Sequence, residues 1–137
     1  MGMLDGVKVL DFTHAYAGPF CTMTMADFGA QVIKIEKVSG GDQARGWGPF
    51  KNGYSGYYAS FNRGKQSLPL DLRAPEAKEI IRRLIAESDI ICSNFKAGTL
   101  EKMGFSYEEV RKIKPDIIYA ELSGFGNKGA LSAYAAY

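Results

Sequence analysis

The sequence contains few of the residues on which metal-binding and disulfide-stabilised proteins depend. It has two cysteines, Cys21 and Cys92, which have no paired spacing, and His14 is its single histidine. The common zinc sites need several Cys or His ligands, so we predict that the chain binds no metal ion. The two cysteines are expected to be reduced thiols, as is usual in cytoplasmic proteins.

The sequence also lacks a strong net charge and long apolar runs. Its 17 Lys and Arg residues against 15 Asp and Glu give a net charge of +2, too small to indicate a nucleic-acid-binding protein. No apolar run reaches the roughly 20 residues needed to cross a bilayer. The stretch from Met1 to Phe12 does not have the basic and apolar regions of a signal peptide. We therefore expect a cytoplasmic protein without a nucleic-acid or membrane partner.

Short apolar runs rich in valine and isoleucine predict β-strands, and most of them are separated by segments long enough for a helix. Such alternation is typical of βαβ units, which place successive strands parallel in one sheet. We predict an α/β fold, a doubly wound and mainly parallel Rossmann-like sheet with helices on both faces, formed by residues 1–137 as one domain. The predicted strands are Val7–Phe12, Gln31–Glu36, Gln66–Asp71, Asp89–Ser93 and Ile117–Leu122.

Three helices have recognisable boundaries. Pro75 suits a first helical position and opens an amphipathic helix that runs to about Ala86. Ser106 and Glu109 form a capping box, which predicts another helix start. A third helix is predicted over Phe20–Phe28, closed by a glycine. The glycine-rich stretch Val38–Gly56 is predicted to be a long functional loop.

Two local patterns suggest chemistry. Gly124–Gly129 match G-x-G-x-x-G, but a dinucleotide-binding turn belongs to the first βα unit, so a flexible glycine loop is the favoured interpretation. His14 follows the first predicted strand, where open α/β sheets bind their ligands. It could act as a general base, although a lone histidine without a nucleophile partner is more often a loop or packing residue. Asp11 and Glu36 have no evident partner in the sequence.

Several cations follow the carboxyl ends of the predicted strands, where helix N-termini also lie. Together they favour an anionic, polyphosphate ligand, although each one alone is more often a solvated side chain. Asn94, Phe95 and Leu70 are placed to flank a flat ring. The cations are Lys37, Arg73, Lys96, Lys102 and Lys128.

The order and spacing of several blocks make the chain resemble the amino-terminal segment of the class III coenzyme A (CoA) transferases, a family that includes formyl-CoA and carnitine CoA-transferases and the 2-methylacyl-CoA racemases. The resemblance implies a Rossmann-like CoA-binding sheet and an acyl-CoA ligand. The blocks are Leu4–Thr13, Ala17–Pro19, Gly29–Glu36, Asn62–Ser67, Asn94–Phe95 and Met103–Phe105.

The resemblance also implies residue roles. Transferases of the family use an aspartate that attacks the acyl-CoA thioester. The matching position lies beyond Tyr137, so this chain resembles the first third of an enzyme. We therefore expect the chain, as a shortened product or a fragment, to be inactive alone. Gly124, Phe125 and Gly126 match a loop that shields the reaction from water. The CoA-contacting positions are Tyr16, Ala17, Lys37, Leu70, Arg73, Asn94, Phe95, Lys96, Lys102 and Met103.

Two alternatives stay open at this point. The chain could be a CoA-binding, nucleotide-binding or assembly module without catalysis. It could also belong to the racemase branch, which is less favoured because the racemases have a catalytic histidine where Tyr137 stands. Family members form interlocked dimers, and an amino-terminal segment alone would expose apolar surface, so we expect a homo-oligomer.

Overall fold

The computed structural model describes residues 2–132 and residue 134. The strands are β1 (Lys8–Asp11), β2 (Gln31–Glu36), β3 (Phe50–Lys51), β4 (Tyr54–Ser55), β5 (Lys65–Pro69), β6 (Ile90–Ser93) and β7 (Ile118–Glu121). The helices are α1 (Ala17–Asp27), α2 (Gly56–Asn62), α3 (Pro75–Glu87), α4 (Thr99–Lys102) and α5 (Tyr107–Ile113), with a 3-10 turn at Gln43–Gly46.

Five strands form one parallel sheet in the order β5-β2-β1-β6-β7. Leu10 of β1 lies beside Ile33 on one neighbour and Ile91 on the other. The chain winds outward from β1 in one direction and then in the other, so β1 and β6 flank the point where the winding reverses. The predicted doubly wound α/β fold and its five strands are confirmed, with boundaries that differ by at most two residues.

The two faces of the sheet are packed differently. Leu10 and Ile35 point to the face covered by α3, where Ile81 and Ile85 are fully buried. Val9 and Val32 point to the opposite face, against which residues of α1 pack. Side chains alternate along a strand, so the two faces have separate apolar cores. The core under α3 is the larger of the two.

The helix ends follow from local chemistry. Pro75 is the first residue of α3, and the Ser106 hydroxyl accepts a hydrogen bond from the Glu109 amide at 3.3 Å at the start of α5. Helix α1 begins at Ala17, three residues earlier than predicted, and includes Pro19 in its first turn. Proline is tolerated there because the backbone N–H groups of the first turn have no partner within the helix. It ends before Gly29, whose φ of +106° is the left-handed conformation predicted for its cap.

The stretch Val38–Gly56 is more ordered than a long loop, so that prediction is wrong in part. It contains the 3-10 turn and an antiparallel hairpin in which Lys51 pairs with Tyr54. The hairpin turns through Asn52 and Gly53, both with positive φ, which matches the twist of the two short strands. Within the part of the chain that the structure describes, no helix is long and apolar enough to span a membrane.

Candidate functional site

A cleft of about 240 Å³ lies at the carboxyl edge of the sheet. Open α/β sheets bind ligands at this edge, beside the point where the winding reverses. The segments that follow β1, β2, β5 and β6 contribute residues to its lining. Its lining consists of Phe12, Thr13, His14, Ile35, Glu36, Lys37, Gly41, Asp42, Gln43, Leu70, Leu72 and Phe95.

A buried ion pair connects that loop to the turn after β1. The Lys34 ammonium lies 3.0 Å from Asp42 Oδ2, and both side chains are 1% exposed. Lys34 also donates a hydrogen bond to the Thr13 carbonyl oxygen at 2.5 Å, while Asp42 Oδ1 accepts from the Ala15 amide at 3.1 Å. Ala15 has a positive φ of 66°, which an alanine adopts only when its surroundings hold it. The pair therefore fixes the floor of the cleft.

Glu36 ties the same loop to β5 and α2. Its carboxylate accepts two hydrogen bonds from Arg45, and one each from the Asp42 amide, the Tyr58 hydroxyl and the Ser67 hydroxyl, all at 2.7 Å. Burial alone would raise the pKa of Glu36, but these hydrogen bonds outweigh it and lower the pKa to about 2. Glu36 is thus a carboxylate at neutral pH.

A third buried pair lies deeper on the same face of the sheet. Asp11 is fully buried and accepts hydrogen bonds from the hydroxyls of Thr13 and Thr22 and from the Lys65 ammonium. Burial lowers the pKa of Lys65, and the Asp11 carboxylate opposes that shift. Buried charges require such partners, and here they replace an apolar core at the carboxyl end of β1 and β2.

His14 lies between the turn after β1 and the turn after β6. Its amide donates to Asn94 Oδ1 at 2.8 Å and its carbonyl oxygen accepts from Asn94 Nδ2 at 2.8 Å. The imidazole stacks on the Phe95 ring at a centroid distance of 5.3 Å. Burial lowers the pKa of His14, and Asp42 partly offsets this. Nδ1 of the ring is buried and has no hydrogen-bond partner within residues 2–132 and 134.

Three of the ten predicted CoA-contacting residues line the cleft, namely Lys37, Leu70 and Phe95. The five cations do not converge on it. Arg73 is 92% exposed and lies 3.1 Å from Asp71, two residues away in the chain. Lys96, Lys102 and Lys128 are exposed and are not part of the lining. Lys37 is thus the one predicted cation that reaches this cleft.

The other predicted residues lie around the cleft. The Tyr16 ring packs edge-on against Phe61 at 4.9 Å, and Ala17 is the exposed first residue of α1. Asn94 bridges to His14, while Met103 packs on the apolar core and caps α4. Gly124 and Phe125 are exposed after β7, and Gly126 lines a smaller cleft of about 140 Å³ together with Phe95.

The polar contacts beneath the cleft were missed by sequence reasoning. Asp11 and Glu36, for which no partner is evident in the sequence, have close partners in the structure. Lys34 and Asp42 were not singled out at all. A charged residue inside a predicted buried strand, as Lys34 is in β2, was the one available signal, because buried charges need partners.

The two cysteines match the expected free thiols. Both are free, and Cys92 is fully buried in β6, where burial raises the pKa of its thiol to about 12. Among the residues with described positions, no group of three His, Cys, Asp or Glu side chains is placed to hold a metal ion. Tyr137, which bears on the racemase alternative, lies outside the described residues.

The fold and the cleft define a doubly wound α/β protein with a ligand-sized crevice where the winding reverses. The family model of CoA-transferase family III matches residues 4–137. The chain belongs to this family.

The two curated relatives described here are both CoA-transferases. The chain is 43% identical to mouse succinyl-CoA:glutarate CoA-transferase over 138 aligned residues, covering 100% of this chain and 32% of the relative. It is 47% identical to succinyl-CoA:mesaconate CoA-transferase of Haloarcula hispanica, covering 93% of this chain and 33% of the relative. A crystal structure of a CAIB/BAIF family protein from Brucella suis superposes with a TM-score of 0.93 at 41% identity, covering 99% of this chain and 37% of that one. The chain therefore spans about a third of the length of the curated relatives it matches.

Proposed function

We propose that this chain is the CoA-binding portion of a CoA-transferase, which moves CoA between an acyl-CoA and a carboxylic acid. The observation that carries the proposal is the cleft at the carboxyl edge of β1 and β2, with the Lys37 side chain in its lining. Membership of CoA-transferase family III supports it, and so do the relatives, which are named for transfers between a CoA thioester and a dicarboxylic acid.

The chemistry of the cleft supports binding by this chain and a nucleophile from elsewhere. Apolar side chains such as Leu70 and Leu72 provide contact area, and the Lys37 ammonium can bind a phosphate group as a point charge. The two carboxylates of the lining are already engaged, Glu36 by Arg45 and Asp42 by Lys34. Neither is free to attack a thioester.

The family's reaction then divides between this chain and a further segment. The aspartyl nucleophile attacks the thioester carbonyl, CoA leaves as the thiolate, and a mixed anhydride remains on the aspartate. We propose that this aspartate lies outside residues 1–137, while the cleft holds CoA in place during the exchange. The engaged carboxylates equally favour a second candidate, a CoA-binding module that performs no catalysis.

Titration calorimetry with CoA tests the proposal. We expect the chain to bind CoA, and we expect Lys37→Ala to weaken binding by up to about fivefold, since Lys37 is exposed and an exposed ion pair contributes up to about 1 kcal/mol. Lys51→Ala is the matched control, because it removes the same charge from the exposed hairpin, outside the cleft. Absence of binding at millimolar CoA, or equal weakening by both substitutions, would contradict the proposal.

A further inference from the structure

The turn that joins β1 to α1 has a disfavoured backbone conformation at Ala15. Among the described residues, Ala15 and Asn52 are the two non-glycine residues with positive φ, at 66° and 52°. Asparagine adopts this left-handed conformation because its side chain can hydrogen bond locally, whereas alanine has no such group. For alanine the conformation is disfavoured about tenfold relative to glycine. Contacts from outside the turn must therefore hold Ala15.

Four successive backbone groups of this turn are bound by side chains from other elements. The groups are the Thr13 carbonyl oxygen, the amide and the carbonyl oxygen of His14, and the Ala15 amide. Lys34 donates to the first at 2.5 Å, the Asn94 side chain bonds the two groups of His14, and Asp42 Oδ1 accepts from the last at 3.1 Å. A strained conformation persists where its surroundings over-determine it in this way, and such positions cluster at functional sites.

Asp42 is the side chain of this set that reaches Ala15, and its other contacts fix it in place. Its Oδ2 lies 3.0 Å from the Lys34 ammonium, its Oδ1 also accepts from the Ala44 amide at 2.9 Å, and its own amide donates to Glu36 at 2.7 Å. The Asp42 side chain is 1% exposed, although the residue contributes to the cleft lining. Its carboxylate therefore acts on the turn and is not free to bind a ligand.

We propose that Asp42 is a positioning residue: by holding Ala15 in the left-handed conformation, it keeps the turn after β1 in the form that binds the ligand of the cleft. The turn contributes Thr13 and His14 to the lining, so a change of conformation at Ala15 moves part of the binding surface. The assignment rests on the proposed function, in which the ligand is CoA. Without the Asp42 contact, about one molecule in ten has the binding form, and the apparent affinity falls by the same factor.

Calorimetry with CoA on the Asp42→Asn variant tests the assignment. The oxygen of the new amide turns to the buried Lys34 ammonium, so the Ala15 amide faces an N–H group and is released. We expect CoA to bind about tenfold more weakly. Charge alone predicts the opposite result, since the substitution removes a negative charge from a cleft that is proposed to bind an anion.

A second substitution separates positioning from a general structural role. Adding Ala15→Gly to Asp42→Asn should restore the CoA affinity to within about twofold of the unsubstituted chain, because glycine adopts positive φ without the Asp42 contact. Ala15→Gly alone should change the affinity by less than about twofold, because the turn is already held. CoA binding by Asp42→Asn that is unchanged or tighter, or a weakening that Ala15→Gly does not restore, would overturn the assignment.

Asp89→Asn is the matched control for this cycle. Asp89 Oδ2 also accepts a hydrogen bond from a distant backbone amide, that of Lys8 at 2.9 Å, but it does so at the amino ends of β1 and β6, away from the cleft lining. We expect its CoA affinity to stay within about twofold of the unsubstituted chain, since the turn after β1 is untouched. A tenfold loss in this variant would show that the cycle does not report on the turn.

Backbone NMR of Ala15 provides a measurement that does not depend on CoA. Its carbon shifts and its coupling between the amide and α protons report φ, and we expect left-handed values in the unsubstituted chain that are lost in Asp42→Asn. If Asp42→Asn does not fold, Asp42→Glu is measured in the same way, since it keeps a charge beside Lys34 but displaces the carboxylate. Signals unchanged by the substitution would refute the assignment. If the unsubstituted chain does not bind CoA, the proposed function fails, and these signals alone decide whether Asp42 holds Ala15.

Discussion

Glu36 offers the sharpest test of how the cleft is held together, because one carboxylate joins the loop after β2, helix α2 and strand β5. Replacing it by glutamine keeps the size of the side chain and removes the charge. The glutamine amide also presents N–H donors to Arg45, Tyr58 and Ser67, which donate to the carboxylate in the native protein. The hydroxyls of Tyr58 and Ser67 can turn to accept, but the Arg45 guanidinium has no acceptor, so its N–H group and the amide N–H facing it are left unpaired.

The magnitude follows from the pKa of Glu36, which falls from 4.5 to about 2 on folding. Each pKa unit corresponds to about 1.4 kcal/mol, so the shift corresponds to at most about 3 kcal/mol of folding free energy. The Glu36 side chain is 2% exposed, but its partner Arg45 is 40% exposed, and solvent screens part of the interaction. We therefore expect Glu36→Gln to lower the free energy of unfolding by about 2 to 3 kcal/mol at neutral pH.

The pH dependence of this difference in unfolding free energy tests the reasoning. Because the folded pKa is the lower one, the stabilisation is fully present above the unfolded pKa and is lost as the pH falls through the folded value of about 2. Glutamine does not titrate in this range. Urea unfolding of both proteins should therefore show a stability difference that narrows by about 1 kcal/mol between pH of about 7 and about 3.5. A difference that stays constant with pH would refute the reasoning.

Glu79→Gln is the matched control for this measurement. Glu79 forms an ion pair with Arg83 one turn further along α3, and the two side chains are 55% and 79% exposed. Exposed pairs of this kind contribute little, so we expect a change in unfolding free energy below about 0.5 kcal/mol. A loss comparable to that of Glu36→Gln would mean that charge removal in general, and not the buried network, is being measured.

Two further predictions concern stability and chemistry. Ile81→Ala should lower the free energy of unfolding by about 2 to 5 kcal/mol, because Ile81 is fully buried in the larger core. Its neighbour Ile80 is 41% exposed, so Ile80→Ala should lower the free energy of unfolding by less than about 1 kcal/mol. Equal losses for the two variants in urea unfolding would contradict this location of the core. We also expect no new CoA thioester, measured by mass spectrometry, when the chain alone is incubated with succinyl-CoA and a panel of dicarboxylic acids. The reason is that both carboxylates of the cleft, Glu36 and Asp42, are held in ion pairs. Turnover would contradict the proposal that the nucleophile lies outside this chain.

The strands and main helices were predictable because their signals are local. Valine and isoleucine runs place β2 at Gln31–Glu36 without error, and Pro75 marks the start of α3. The hairpin within Val38–Gly56 also has a local signal, Asn52-Gly53, which is strongly typical of a two-residue turn. The strands on either side of this turn have only two residues each, too few to show the alternating pattern that predicts a strand.

The site was less predictable because its contacts are distant in sequence. Asp11 and Lys65 are 54 residues apart, and Glu36 and Ser67 are 31 apart. A strand-end position fixes the edge at which a side chain lies but not the direction in which it points. Arg73 shows this, since it pairs with Asp71 at a distance of two residues and is not part of the cleft lining.

The division between the two faces of the sheet explains why a cleft can form at this edge. The face covered by α3 is apolar, and Phe12, Ile35 and Phe95 on this side also line the cleft. On the other face, apolar packing by Val9 and Val32 gives way to the charges of Asp11 and Lys34 toward the carboxyl end. Lys65 of β5 pairs with Asp11, and Asp42 of the loop after β2 pairs with Lys34, so folding of this face also positions the loop that lines the cleft. Substitutions at cleft-lining residues of either face, such as Leu70 and Asp42, should therefore change stability and ligand binding together, whereas Ile81→Ala, away from the cleft lining, should change stability alone.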